Sequence, residues 1–453
     1  MPAQFTRLLA AALVAGPLFA QTAQLQNRPP VLQLSLKQAV EIALAPEGST
    51  RVRLAEEALK QAEAQSNETR AALLPDFESY LQYENETNNL KAFGFHFPSF
   101  SLPGLTFSIP TLLGPFDLLD VRASVNQSVF DLSSIRRYQA SKVAIEAVKA
   151  DNEGTRDQVS DQVARAYLAA LRAEASLDTA HANVELSEAL LRLAQSQKNA
   201  GTGTGIEITR AQVQLANDQQ LEFVAENDVD RSRLQLLKVI GLRLDNPVEL
   251  TGKLEYIPTD PIDATQALAI ARTNRAELKA QVRREDSARL SYTATKLDRV
   301  PSLSAFGNYG DLGSSITNAL PTRTYGVSLK VPLWDGGRRD ARRVESESQY
   351  RQEKIRTVDL RDQIELDVRV ALDGLHSADA QVKTAEQGLE LSLNELAQAE
   401  RRYKAGVTNS IEVTDAQTRL ARARDNRISA LYNYNVARID LGTAMGTIQS
   451  MIQ

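Results

Sequence analysis

The residues of this sequence that stand out chemically are acidic side chains near the start of a helical segment. Glu412 and Asp415 are three positions apart, which places both carboxylates on one face of a helix. Carboxylates crowded into a narrow aqueous passage attract cations and repel anions. The alternative interpretation is an ordinary solvated helix start, where the helix dipole favours negative charge.

A glycine-rich segment, Gly201 to Gly205 (GTGTG), is the second feature that could do chemistry. A phosphate-binding loop would continue into Lys-Ser or Lys-Thr inside a βαβ pattern, and neither is present. The glycines instead predict a tight reversal between antiparallel helices, where a positive φ is required. A second reversal is predicted at Gly406, which aligns with Gly201.

The composition of the 453-residue chain excludes several classes of site. With no cysteine, it cannot form disulfides, Cys-based metal sites, a thiol nucleophile or a lipidated N-terminal Cys. Three scattered histidines (His96, His181 and His376) leave little for a metal site or a catalytic triad. The net charge of −5 argues against a general nucleic-acid binder. We therefore predict a protein that is not an enzyme and needs no cofactor or metal.

Residues 1–20 have the pattern of a secretory signal peptide. Arg7 precedes an apolar run from Leu8 to Ala20, and small residues near Ala20 and Ala23 allow cleavage. An uncleaved N-terminal anchor is the alternative, although this run is shorter than the roughly 20 residues of a spanning helix. If the exported chain enters a membrane, we expect it to do so as a β-barrel.

The sequence contains an internal duplication with an offset of 205 residues. NAGTGTGIEITRAQVQLA, from Asn199, aligns without gaps with KAGVTNSIEVTDAQTRLA, from Lys404, and nine of 18 positions are identical. The same offset pairs Gly241 with Gly446. The order helix, strand, strand, very long helix, helix is therefore predicted twice, in repeats at residues 21–241 and 262–453, joined by a proline-containing linker at 242–261.

The predicted helices carry apolar residues at strict three- and four-residue steps, which is typical of coiled coils. One such seam runs from Val163 to Ala194, and the shifted seam runs from Val368 to Ala399. A third runs from Val413 to Ala444 and is interrupted only by Arg427. The segment from Asp131 to Asn199 would form a helix of roughly 100 Å, with shorter helices stacked end to end beside it.

Three segments alternate apolar and polar residues, as membrane β-strands do, and a fourth, from Ser302 to Tyr309, does so less cleanly. In one of them Val121, Ala123 and Val125 share a face that excludes Arg122 and Ser124. Four strands are too few for a membrane barrel, since known barrels begin at about eight, but three copies supply twelve. Two hairpins capping a soluble coiled coil are the alternative.

These features together resemble the TolC-like outer-membrane efflux family. The resemblance rests on the signal peptide, the duplicated helix–strand–strand–helix–helix unit, the strand ends Phe130-Asp131 and Trp334-Asp335, and the turn Tyr403-Lys404-Ala405-Gly406 followed by Glu412-Val413-Thr414-Asp415. It implies a mostly α protein with membrane β-strands. It further implies a homotrimer with a 12-stranded β-barrel in outer-membrane lipid and a 12-helix periplasmic α-barrel. Such a trimer would be the exit duct for an inner-membrane pump and a periplasmic adaptor. The different-class alternative is a periplasmic or secreted coiled-coil structural protein.

The resemblance also assigns roles to residues at the helix reversals. Adaptor docking would fall on Gly201, Thr202, Gly406, Val407 and Thr408. Glu412 and Asp415 would form carboxylate rings at the constriction, with Glu207 and Tyr403 in the closing latch. Where the family latch has an arginine, this chain has Thr408, so the substitute would be Lys198, Arg210, Arg401, Arg402 or Lys404.

The long connection between the first two strands, residues 84–120, is rich in phenylalanine and proline. Its prolines predict an irregular loop, which would lie outside the membrane. It would pack on itself over the barrel rim or act as an external lid. The exported substrate is not specified by any motif; we favour small-molecule efflux.

Overall fold

The computed structural model describes residues 31–94, 100–102, 104–107 and 110–452. The predicted signal peptide, residues 1–20, lies outside them. The helices are α1 (Leu36–Leu44), α2 (Thr50–Ala71), α3 (Leu132–Asn199), α4 (Gly205–Ile240), α5 (Ala264–Asn274), α6 (Ala276–Leu297), α7 (Arg338–Lys404), α8 (Ser410–Met445) and α9 (Ile448–Ile452). The strands are β1 (Leu32–Leu34), β2 (Asp76–Asn89), β3 (Phe100–Leu102), β4 (Leu105–Phe107), β5 (Leu112–Phe130), β6 (Val248–Leu250), β7 (Ser302–Gly313) and β8 (Leu320–Lys330).

The same order of elements occurs twice along the chain. A helix leads into two antiparallel strands, then a helix of about 100 Å and a second helix of about half that length. The long helix α3 begins directly after Phe130 and Asp131, and α7 begins two glycines after Trp334 and Asp335. Asp131 Oδ1 accepts from the backbone N–H groups of Ser133, at 3.0 Å, and Ser134, while Asp335 Oδ2 accepts from that of Arg339 at 3.2 Å. The aspartates therefore satisfy N–H groups that would otherwise be orphaned at the helix starts.

The shorter helices stack end to end beside the long ones, as predicted. Gly241 follows α4 in the left-handed region and lies so close to Gly48 that an added Cβ would approach its carbonyl oxygen at 2.7 Å. Gly446 follows α8 in the same conformation and meets the backbone of Arg275. The helical layer therefore contains four columns, in the order α2 and α4, α3, α6 and α8, α7.

The coiled-coil seams form the core of this layer. On α8 every predicted seam residue is buried except Arg427, which is exposed, and Ile428 is buried in its place. Large residues alternate with alanine along the seam, so neighbouring backbones approach closely.

The four-stranded sheet has the order β2-β5-β7-β8, and all three pairings are antiparallel. The register places Phe77 opposite Val125, and Leu81 opposite Val121, on one face. The other face carries polar pairs such as Glu78 with Ser124. The predicted alternation is thus confirmed for β2, β5 and β8, whereas β7 places Phe306 on the polar face opposite Asn126; the apolar face is exposed in the single chain.

The irregular loop predicted for residues 84–120 is wrong at both ends. β2 continues to Asn89, β5 starts at Leu112, and β3 and β4 form a short hairpin between them. Pro115 lies at a register shift between Glu86 and Asn88, where a bulge tolerates a residue without an N–H group. Phe93 is exposed and Phe116 belongs to β5, whereas Phe95 and Phe97 lie outside the described residues.

The segment between the two repeats is packed against the helices. Its β6 pairs in parallel with β1, a pairing that was not predicted from the sequence. The buried Tyr167 hydroxyl donates to the carbonyl of Leu34 and accepts from the N–H of Gly252, both at 3.0 Å. None of the helices in the described part of the chain is both long and apolar enough to cross a membrane.

Candidate functional site at the helix turns

Two helix reversals lie at the end of the helical layer that is distant from the sheet. After α3, Gly201 has a φ of +74°, and after α7, Gly406 has a φ of +70°. In the first turn the N–H of Thr202 donates to the carbonyl of Gln197, and in the second that of Val407 donates to Arg402, both at 3.0 Å. Each of these hydrogen bonds closes a six-residue turn, as in a Schellman motif. Such a motif needs a residue with a positive φ, which explains the glycine. The positive φ predicted at both reversals is therefore confirmed.

The exposed residues of the turns are those to which the resemblance assigned docking. Gly201, Thr202, Gly406 and Val407 are exposed, and Thr408 is half-buried. Val407 is 70% exposed. Both turns continue into capped helices: the N–H of Ile411 donates to Asn409 Oδ1 at 3.1 Å, and the N–H of Thr204 donates to Glu207 Oε2 at 2.9 Å.

Glu412 lies in a compact polar cluster just inside the second turn. Its carboxylate accepts from the Thr408 hydroxyl and forms an ion pair with Arg402 at 3.0 Å. Of the five basic residues proposed to replace the missing arginine, Arg402 is the one that contacts Glu412; Lys404 pairs instead with Glu400. Thr408, at the position where the family latch has an arginine, therefore contacts the same Glu412 carboxylate as Arg402, through its hydroxyl.

Asp415 is not part of this cluster. It lies one turn further along α8, is exposed, and has no hydrogen bond or ion pair within the described ranges. The structure therefore places the two predicted carboxylates in different states, one neutralised by a cation and one free. Arg402, Glu412 and Asp415 together leave a local net charge of −1 in each chain.

Tyr403 and Glu207 meet from different helices in a narrow cleft. Arg210 from α4 and Gln417 from α8 complete its walls. Tyr403 is 5% exposed, and its hydroxyl has no partner among the described residues. Burial, and secondarily the negative charge of Glu207, raises the pKa of the Tyr403 hydroxyl, which therefore stays neutral at physiological pH.

A small apolar cluster ties the second turn to the neighbouring hairpin. Its buried members are Leu396, Ala399, Tyr403, Val413, Ala416 and Leu420. Leu186, Leu190 and Leu193 of α3 pack against it. This contact was not predicted, because heptad spacing indicates which face of a helix is apolar but not which neighbouring helix covers it. Within the described residues, no group of three or more His, Asp or Glu side chains is placed to hold a metal ion.

The chain is similar to proteins of a known family along most of its length. The family model described as outer membrane efflux protein matches residues 42–242 and 267–447. The outer membrane protein TolC of Vibrio cholerae is 24% identical over 341 residues, covering 73% of this chain and 77% of that protein. The alkaline protease secretion protein AprF of Pseudomonas aeruginosa is 25% identical over 326 residues, covering 69% of this chain and 66% of that protein.

Solved structures show the same fold at lower sequence identity. The outer-membrane channel OprN superposes with a TM-score of 0.75 at 19% identity, covering 91% of this chain and 90% of OprN. The outer membrane protein VceC of Vibrio cholerae superposes with a TM-score of 0.76 at 17% identity, covering 91% of this chain and 96% of VceC. The family model spans most of the chain and both of its halves, so this protein belongs to the outer membrane efflux protein family.

Proposed function

We propose that three copies of this chain close into one continuous duct, with a 12-stranded barrel in the outer membrane and a 12-helix barrel in the periplasm. Family membership makes the protein an outer-membrane exit duct of an efflux or secretion system. The trimer, its partners and the roles of individual residues are the new parts of the proposal. We assign residues 1–20 to a cleaved signal, and residues 21–241 and 262–453 to repeats joined by 242–261.

One observation carries the trimer: the sheet and the helical layer are open on the same two sides. The sheet ends in β2 and β8, and the helical layer ends in the column of α2 and α4 and in α7. Because α2 leads into β2 and β8 leads into α7, each open side runs the length of the molecule. β2 and β8 are antiparallel to each other, so β8 of one copy can pair with β2 of the next. Three copies would therefore leave no free edge.

Equivalent positions in the two repeats differ in exposure, because the open sides of the helical layer have no neighbouring helix. Phe223 on α4 is 62% exposed, whereas its repeat equivalent Ile428 on α8 is 7% exposed. Leu391 on α7 is 69% exposed, whereas its equivalent Leu186 on α3 packs into the apolar cluster. In each pair the covered residue has a neighbouring column and the exposed one does not. A second copy placed beside α4 and α7 would cover both.

The apolar face of the sheet supports contact with outer-membrane lipid. Leu81 on β2 and Val327 on β8 are 71% and 68% exposed on this face. At the end nearest the helices, Phe77 and Trp334 are 77% and 88% exposed. Aromatic residues at this level are typical of the girdle at a membrane–water interface.

We assign adaptor docking to the two turns, at Gly201, Thr202, Gly406, Val407 and Thr408. The exposed Val407 offers an apolar contact in an otherwise polar turn, and the adaptor would link the duct to an inner-membrane pump. Val407→Asp should abolish export while the trimer yield stays normal. Bulky substitutions at Gly201 and Gly406 should do the same, because they strain the reversal. Export that survives all three changes would contradict docking at the turns.

We assign the constriction to Asp415, Glu412 and Glu207, with Tyr403 and Glu207 meeting in the closing latch. Three-fold symmetry would turn each carboxylate position into a ring of three. The free Asp415 would dominate, since Glu412 is paired with Arg402. A solvated helix start is the alternative for these acids.

The native mass of the protein tests the trimer directly. Three chains of 49.8 kDa give about 150 kDa after detergent extraction from outer membranes. A soluble periplasmic monomer or dimer would overturn the duct and leave a coiled-coil structural protein.

A further inference from the structure

A groove between α7 and α8 differs in charge from the rest of this acidic chain. It encloses about 840 Å³ and has two arginines, Arg419 and Arg422, on its rim. Serine, threonine, asparagine and glutamine supply the other polar groups, and no Asp or Glu lines it. The lining therefore offers many hydrogen-bond donors, and its two arginines leave a local charge of +1 once the partner of Arg419, Glu395 on α7, is counted, although the whole chain is at −5.

The two arginines are held differently. Arg419 forms an ion pair with Glu395, whose position is fixed on α7. Arg422 is exposed and has no hydrogen bond or ion pair in the part of the chain that the structure describes. An unpaired guanidinium presents its planar set of N–H donors to the groove, a geometry that matches a carboxylate or phosphate group.

The floor of the groove leaves room for such a group. It consists of small residues on both helices: Ala380, Ala385, Gly388, Ala423 and Ala430. A Cβ added to Gly388 would meet no other atom within 4 Å. Small residues on a coiled-coil floor usually allow close packing, but here they border open space.

The first repeat supplies an internal comparison. Its equivalent groove, between α3 and α4 with part of α8 beside them, encloses about 450 Å³ and is lined by three aspartates (Asp218, Asp228 and Asp425) and two arginines (Arg172 and Arg231). On the paired helices, Gln214 corresponds to Arg419, Asn217 to Arg422 and Asp228 to Asn433. The second groove thus lacks the acids of the first, and its Arg419 and Arg422 stand where the first repeat has uncharged amides, although Arg172 of the first groove is replaced by Ser377.

The basic rim shares a helix face with the acidic constriction. From Asp415, the residues at steps of four and three are Arg419, Arg422, Asn426, Ser429 and Asn433. Such steps keep residues on one stripe of α8. Arg422 lies seven residues beyond Asp415, or about 10 Å along the helix. In a trimer, a belt of six arginines would follow the carboxylate ring.

We propose that the groove between α7 and α8 is an oxyanion-binding site, which takes the carboxylate or phosphate group of an exported small molecule after it passes the constriction. The location inside the duct rests on the proposed function; the binding chemistry does not. A groove lined by hydrogen-bond donors around a free guanidinium can bind oxyanions through charge-assisted hydrogen bonds. Beyond the constriction, the arginines would offset the repulsion that the carboxylate rings exert on anionic cargo, since rings of arginine favour anions in pores.

The test measures binding and conduction separately. Isothermal titration of the detergent-purified protein with citrate and with pyrophosphate, at low salt, should show saturable binding of at least one of them. The double variant Arg419→Gln and Arg422→Asn restores the amides of the first repeat and should weaken binding by about tenfold or more. Gly388→Leu should weaken it too, by filling the groove without changing charge.

Arg427→Gln is the matched control, since Arg427 is exposed on the same helix, unpaired within the described ranges and outside the groove. Its titration should equal that of the wild type. Equal weakening by Arg427→Gln, or no weakening by the double variant, would overturn the site. In planar bilayers the double variant should shift the reversal potential toward cation selectivity. A wild-type protein that binds citrate but conducts no ions would refute the duct while leaving the oxyanion site in place.

Discussion

At the scale of single residues, the carboxylates near the second turn can be tested by cation block. Multivalent cations should reduce the conductance of the reconstituted protein, because acids around a narrow passage concentrate them. Glu412→Gln combined with Asp415→Asn should relieve the block. Glu390→Gln, an exposed acid elsewhere on α7, should leave it unchanged. Block that persists in the double variant would show that these acids are only a solvated helix start.

Removing the positive charge of Arg402 should have the opposite effect on cation block. Its guanidinium neutralises Glu412 at 3.0 Å, so Arg402→Gln frees a negative charge in each chain. We expect a tighter cation block, by about fivefold or less because exposed ion pairs are weak. The concentration of divalent cation that halves the single-channel current measures this. A weaker block in Arg402→Gln would mean that the pair does not face the conducting path.

At the scale of elements, the sequence predicted the repeated helices, the strands and the turns because each depends on local pattern. Seam spacing, period-two alternation and the glycines at Gly201 and Gly406 all act within a few residues. Contacts between distant segments were missed for the same reason. Nothing in the sequence of the linker indicates that β6 pairs with β1. The loop at 84–120 was predicted from its prolines alone, and this prediction did not take into account the cross-strand pairing that extends β2 and β5.

The features of the candidate site also fall into those that local spacing predicts and those that depend on contacts between distant segments. The turn glycines and the helix face shared by Glu412 and Asp415 follow from spacing alone. The partner of Glu412 does not, since Arg402 reaches it only after the chain reverses, and five basic residues were equivalent in the sequence. The oxyanion groove was missed because its lining comes from two helices and its open space depends on how closely they pack.

The two hydrogen bonds of the buried Tyr167 hydroxyl allow a prediction for the segment between the repeats. Tyr167→Phe leaves the Leu34 carbonyl and the Gly252 N–H without their partner in a buried place. The loss should destabilise the fold by about 1–3 kcal/mol, which would appear as a lower midpoint in chemical denaturation. Tyr432→Phe removes a hydroxyl that has no hydrogen bond within the described residues, so its midpoint should match the wild type. Equal midpoints for both variants would show that the two hydrogen bonds of Tyr167 do not contribute to the stability of the fold.

At the scale of the whole molecule, the duplication predicts that one substitution has different effects in the two repeats. Phe223→Asp places a charge on a side of α4 that is 62% exposed in the single chain. It should leave the helical content unchanged by circular dichroism and shift the native mass from trimer to monomer, because the charge would be buried between copies. Ile428→Asp, at the equivalent position, buries the charge within one chain and should lower the helical content itself. A trimer that survives Phe223→Asp would place this side of α4 outside the subunit interface. The open sides of the sheet and the helices would then need another partner.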